Sequence, residues 1–303
     1  MKEIVDKLKE YVLWLDKRVL VLTLLFAATI IFCNYYFNLN GRIIRLPFIR
    51  EYTCWYFLFL GCFSFTYFLS GVFKKQNLFT SKSFLLLLLI APAVFSWKMS
   101  SSVHFQLTIN EETNAYWNTV LYWPFKLLII TLVLFVVWKV FDKDQPFYGV
   151  SVKTFSIKPY LLMLLIMTPL IAAASTQPDF LAMYPKLKVL DQLPDDKHPG
   201  MYRLLYELSY GTDFLGIELF FRGFLILGFA KWAGKDAILP MAVFYCAIHF
   251  GKPLGECISS LFGGVILGVV TYHSRTIWGG LLVHLGIAWL MELGGYIGNL
   301  YFG

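Results

Sequence analysis

Charge is scarce in this chain. Of its 303 residues, 15% are Asp, Glu, Lys or Arg, where a soluble domain carries about 25%. With 58% hydrophobic and 18% aromatic residues, there is too little polar surface to cover a water-soluble core, so that class is excluded. Strict alternation with period two is also missing, which excludes a transmembrane β-barrel. Cysteine pairing signals are absent: Cys33, Cys54, Cys62, Cys246 and Cys257 lie in or beside apolar segments, and none forms a CxxC pair. Neither a disulfide framework nor a zinc knuckle is indicated; buried reduced thiols acting as small apolar side chains are expected. The net charge of +7 comes without a basic-aromatic motif, so no nucleic-acid partner is expected. Its Lys and Arg cluster beside apolar spans, as topology signals and contacts to anionic membrane lipids do.

What is present is a series of long apolar runs. Backbone groups in lipid must be satisfied within the segment, so the spans are helices. The fold class is all-α, a polytopic membrane helix bundle of about eight or nine transmembrane helices. Residues 1–18 alternate charged and apolar side chains at helical spacing and predict an amphipathic interfacial helix, with Lys17 and Arg18 anchoring the first span. A cleavable signal peptide is not expected, because the first apolar run is long enough to cross and ends in bulky residues. Residues 19–175 form an N-terminal region of about five spans, near 19–37, 54–73, 83–97, 121–141 and 159–175. A polar loop follows at 176–204, with Asp191, Asp195, Asp196, Lys186, Lys188 and Lys197 among Pro178, Pro185, Pro194 and Pro199. Residues 205–303 form a four-helix core with spans near 205–229, 237–250, 254–272 and 276–299.

Charge counting favours a cytoplasmic N-terminus: Lys74, Lys75 and Lys82 follow the second span, while Glu111 and Glu112 are expected in the loop after the third. Arg42, Arg45 and Arg50 stand against that alternation, which makes their loop a special interfacial element or adds a span.

The last four spans carry ionisable residues. Glu218, Arg222, His249 and His284 sit inside apolar stretches, where each charge costs roughly 2.5–3.5 kcal/mol. Glu218 and Arg222 are four apart, so on an α-helix they share a face and can pair; a salt bridge that locks helices together is the structural alternative. His249 closes the segment YCAIHF before Gly251-Lys252-Pro253, where a hydrogen-bonded or interfacial role is the ordinary reading. His284 stands mid-span in GGLLVHLGIAW among small residues that let helices approach. Two histidines and a glutamate can polarise a water, the carboxylate taking its proton and the imidazoles stabilising the oxyanion. A metal is the weaker reading, because the HExxH spacing is missing; no cofactor is expected. Gly263, Gly264 and Gly268 read as close helix packing.

The residues ELFFRG at 218–223, YxxxH at 245–249 and the His284 span resemble the CPBP family of CAAX-protease and bacteriocin-processing (Abi) membrane proteins. The family pattern is EExxxR, then FxxxH, then HxxxN, and the resemblance covers roughly 200–295. It implies a glutamate-type intramembrane endopeptidase, with Glu218, His249 and His284 catalytic and Arg222 and Tyr245 supporting. It also implies a membrane-associated peptide or protein substrate and a place in a bacterial inner membrane. Members are also described as metalloproteases, though the residue reading needs no metal. Three positions depart: Ile217 stands at the first, usually catalytic glutamate, Ala288 at the asparagine, and Tyr245 at the phenylalanine. One explanation makes Glu218 itself the base after a helix rotation of about 100°. Otherwise Asp213, Glu256 or Glu292 substitutes, or the chain is a pseudoprotease serving as membrane scaffold or partner-binding subunit. Residues 1–175 are the expected surface for another membrane protein complex.

Overall fold

The computed structural model describes residues 2–151, 156–187 and 199–302. Lys188, Asp191, Pro194, Asp195, Asp196 and Lys197 of the polar loop lie outside the described residues. Those described are helical or irregular, with no strand among them. The helices run α1 (Lys2–Trp14), α2 (Lys17–Phe37), α3 (Leu39–Ile43), α4 (Phe48–Lys74), α5 (Lys82–Ser100), α6 (Glu111–Phe141), α7 (Lys158–Ala174) and α8 (Pro178–Met183). They continue as α9 (Pro199–Glu218), α10 (Ala230–Ala233), α11 (Ile238–Ala247), α12 (Leu254–Ser274) and α13 (Trp278–Tyr301). Among the described residues, α2, α4, α5, most of α6, α12 and α13 are six helices long and apolar enough to cross a membrane; α7 is apolar but shorter. The chain is a polytopic helical membrane protein.

Local chemistry sets the helix ends. Asp16 accepts the Arg18 N–H at 2.8 Å and caps α2, satisfying one of the orphan donors of a helix start. Asn38, at φ +50°, ends α2 and its side chain caps α3 through the Gly41 N–H. Ser81 caps α5, and Pro47 and Pro253 precede α4 and α12. The Arg42–Arg50 stretch is accordingly the short helix α3, a turn and the start of α4.

Two expectations need correction. Glu111 is not in a loop but opens α6, which starts ten residues before the apolar run, since its first three turns (EETNAYWNTV) carry polar and aromatic residues. The expected loop 176–204 also holds the short helix α8 and the first turns of α9.

The chain divides into two compact units. One comprises Met1–Ser101, Leu134–Lys153 and Leu219–Ile277; the other comprises Ser102–Val133, Thr154–Glu218 and Trp278–Gly303. In the first, α2 buries only the stripe Val19, Thr23, Ala27, Ile31 and Asn34 and leaves Leu25 and Phe32 exposed, as a lipid-facing helix does. Its centre is aromatic: Phe59 and Phe244 ring centroids are 4.8 Å apart, and Phe95 meets Phe220 and Phe221 at 5.0 Å. Helices in lipid gain little from hydrophobic exclusion, so such shape-matched contact holds them. Gly264 serves the same end, bringing α12 against Ala242 of α11. In the second unit α13 packs on α7 and α9; Tyr206, Tyr210, Phe214 and Ala288 form one buried cluster, and Ile171, Phe180, Leu181, Tyr184 and Met291 another.

Candidate functional site

α9 ends at Glu218, and the next ten residues, Leu219–Gly228, are π-helical. This overturns the α-helical spacing assumed for Glu218 and Arg222. Bonds from i to i+5 widen and unwind the helix; π segments are rare and are frequently found at functional sites. The stretch lies against the loop after α6. A Cβ on Gly223 would meet the Tyr148 carbonyl at 2.6 Å, and one on Gly228 the Tyr148 ring at 3.1 Å. That loop is fastened by Tyr148, which donates to Asp142 at 2.7 Å, and by Lys231, which donates to Asp142 at 2.8 Å.

In the second unit, Glu218 and His284 come together. His284 Nδ1 lies 3.0 Å from Glu218 Oε1, so with Nδ1 protonated the ring donates to the carboxylate and leaves Nε2 for another partner. Glu218 is fully buried, while the His284 side chain is 13% exposed. The Phe214 ring, 4.8 Å away, fixes the imidazole plane. Gly280 admits the carboxylate, since a Cβ there would collide with Glu218 Oε2.

In the first unit, the fully buried Arg222 places its guanidinium 4.2 Å above the Tyr245 ring, a cation–π contact strengthened by exclusion of water. Tyr245 also packs on His249, ring to ring at 4.7 Å, and its carbonyl lies 2.8 Å from His249 Nδ1. α2 holds the turn carrying His249: Asn34 donates to the Phe250 carbonyl at 2.9 Å and Tyr35 to that of Lys252 at 2.6 Å. Nothing in the sequence pointed to these two residues, more than two hundred positions upstream.

The substitute carboxylates have other company. Glu256 is 3.4 Å from Lys252, one turn away. Glu292, nearly buried, accepts the backbone N–H groups of Lys186 at 3.0 Å and Leu187 at 3.2 Å. Asp213 is half-buried on α9. Ile217 is buried, and Ala288 packs among Tyr206, Tyr210 and Phe214. A buried lysine was missed as well: Lys126, inside α6, bonds the Tyr122 hydroxyl. Among the described residues, no three His, Cys, Asp or Glu side chains are grouped to hold a metal ion.

Residues 208–290 match a family model described as type II CAAX prenyl endopeptidase Rce1-like. The match supports the resemblance of that segment to the CPBP family. CPBP proteins of this kind are CAAX-type intramembrane proteases, and the match spans Glu218, Arg222, Tyr245, His249 and His284. No curated protein and no solved structure matches the chain.

Proposed function

We propose that the chain is an intramembrane endopeptidase in which Glu218 is the general base, oriented by His284. The observation carrying this reading is the 3.0 Å contact between His284 Nδ1 and Glu218 Oε1. Glu218 takes a proton from a water as the hydroxide adds to the scissile carbonyl. With Nε2 protonated as well, His284 donates from it to the developing oxyanion, and the proton held by Glu218 passes to the leaving amine as the tetrahedral intermediate collapses. His249 enters this reading through the family motif. The substrate is a peptide or protein held at the membrane, and a C-terminal prenylated CAAX peptide is the first to try, given the family matched. No step requires a metal or other cofactor. The setting is a bacterial inner membrane with a cytoplasmic N-terminus, and residues 1–175 are the surface offered to another membrane protein.

The test is cleavage of membrane-anchored peptides, prenylated and unprenylated, by the purified chain in liposomes. Glu218→Gln should lower turnover by about 10²–10⁴-fold, the usual worth of a general base, with the thermal midpoint little changed. Equal cleavage by the variant would remove Glu218 from the role of base.

A second reading has its own observation. Ile217, at the family's catalytic glutamate, is buried, and Ala288, at its asparagine, packs among aromatic side chains, as in a relative retained as a scaffold. Wild-type protein that cleaves nothing yet copurifies with a membrane partner would favour it.

A further inference from the structure

The structure brings together two thiols that the sequence keeps eleven residues apart. Cys246 on α11 and Cys257 in the first turn of α12 are both fully buried, and their sulfurs lie 3.8 Å apart. Each thiol also points at the other's backbone, Cys246 Sγ 3.3 Å from the Cys257 carbonyl and Cys257 Sγ 3.7 Å from that of Cys246. The two side chains thus face one another across the α11–α12 contact, where Gly264 lets the helices close. Between them the chain makes the turn with His249, Gly251, Lys252 and Pro253.

We infer that Cys246 and Cys257 are a modifiable dithiol, which a two-electron oxidant of the peroxide class converts to a disulfide closing the base of the His249 turn. The sulfurs, which already face one another, close from 3.8 Å to about 2.0 Å. In the first step one thiol gives up its proton and attacks a peroxide oxygen, forming a sulfenic acid and releasing one water. The second thiol then attacks that sulfur, its proton leaving with the hydroxyl as the second water. Two thiols and one hydrogen peroxide become one disulfide and two waters, the sulfurs oxidised and the peroxide reduced. The product fastens α11 to α12 on either side of His249, whose turn α2 already grips through Asn34 and Tyr35. The inference stands on packing alone and does not depend on peptidase activity.

The experiment uses the full chain in detergent, treated with hydrogen peroxide, unfolded in the presence of an alkylating reagent and digested with chymotrypsin. Cleavage after Phe250 separates the two cysteines, so a disulfide leaves two peptides joined, about 2 Da lighter than the pair of free thiols, and dithiothreitol releases them. The oxidised protein should also gain a higher thermal midpoint that reduction reverses. Cys246→Ala should abolish both the joined peptides and the reversible shift. The inference is overturned if both thiols remain alkylatable after unfolding, or if Cys246 is recovered joined to Cys62 instead. If Cys246→Ala does not fold, Cys257→Ala provides the same control, and the wild-type peptide map decides without either.

Discussion

The Glu218 carboxylate rests directly on the backbone of Gly280, where no Cβ would fit. Gly280 lies four residues before His284 on α13, so one turn of helix both admits the carboxylate and presents the imidazole that binds it. Gly280→Ala should push Glu218 out of hydrogen-bonding distance of His284. Overpacking costs about 1–3 kcal/mol, while peptide cleavage should fall much further. Glu218→Asp, one methylene shorter, should recover part of the stability lost in Gly280→Ala. Additive midpoints in that double-mutant cycle would show that the two residues do not press on each other.

Glu292 is a carboxylate with a structural task. It receives two backbone N–H groups, from Lys186 and Leu187, and hydrogen bonds to a charged acceptor are worth about 1.5–3 kcal/mol each. Glu292→Gln keeps one amide oxygen as acceptor and loses the charge. It should lower the thermal midpoint and speed proteolysis near residue 187, with the pH profile of cleavage unchanged. An altered pH profile would instead make Glu292 a substitute base.

How much of this was legible depends on the range of the interaction. α2 was expected at 19–37 and found at Lys17–Phe37, and α12 at 254–272 and found at Leu254–Ser274, because a continuous apolar run of that length has few other fates in lipid. Glu218 and His284 were visible as costly residues in apolar stretches, and they do meet. The π-helical segment after Glu218 was not visible, because LFFRGFLILG is equally apolar for an α-helix. Its partner is a loop more than seventy residues upstream. Asn34, Tyr35 and the Cys246–Cys257 contact were illegible for the same reason: they acquire their meaning only when α2, α11 and α12 are packed. Lys126 was read as part of an ordinary apolar run, although a lone lysine in such a run is itself a signal.

Asp236 predicts a stability effect away from the site. It is buried, 2.8 Å from Lys74 and 2.5 Å from the Gln76 amide. Removing one partner of a buried pair costs about 3–5 kcal/mol, and the partial exposure of Lys74 brings the expectation to about 2–3 kcal/mol for Asp236→Ala. Lys74→Met should recover much of that loss in the double variant, because the stranded charge is gone. Equal midpoints for wild type and Asp236→Ala would show that the ion pair contributes nothing.

The N-terminal helix carries a pH dependence of definite sign. Lys235, bonded to Glu10, holds that carboxyl below its ordinary range, with smaller help from His273 and Lys7. A carboxyl lowered in the folded state stabilises above its unfolded pKa, about 4.3, and loses that contribution as pH falls through the folded value. The difference in thermal midpoint between wild type and Glu10→Gln should therefore be present at neutral pH and vanish in acid. It should also shrink with salt, since Glu10 is exposed. A difference that persists unchanged in acid would place its origin outside this ion pair.

The grip of α2 on the His249 turn separates positioning from stability. Tyr35→Phe removes one hydroxyl and leaves the ring, so the bond to the Lys252 carbonyl and the hydroxyl's contact with the Cys257 thiol are lost; one such bond is worth about 1 kcal/mol. Asn34→Ala removes more, because Asn34 both donates to Phe250 and accepts the Asn40 N–H at 3.0 Å. If His249 takes part in cleavage, loosening its turn should lower kcat in the order wild type, Tyr35→Phe, Asn34→Ala. KM should stay nearly constant, since neither residue is assigned a contact with substrate. His249→Ala supplies the floor: once the imidazole is absent, Tyr35→Phe should have no further effect on kcat. A Tyr35→Phe effect of equal size in the His249→Ala background would mean that α2 acts on something other than His249.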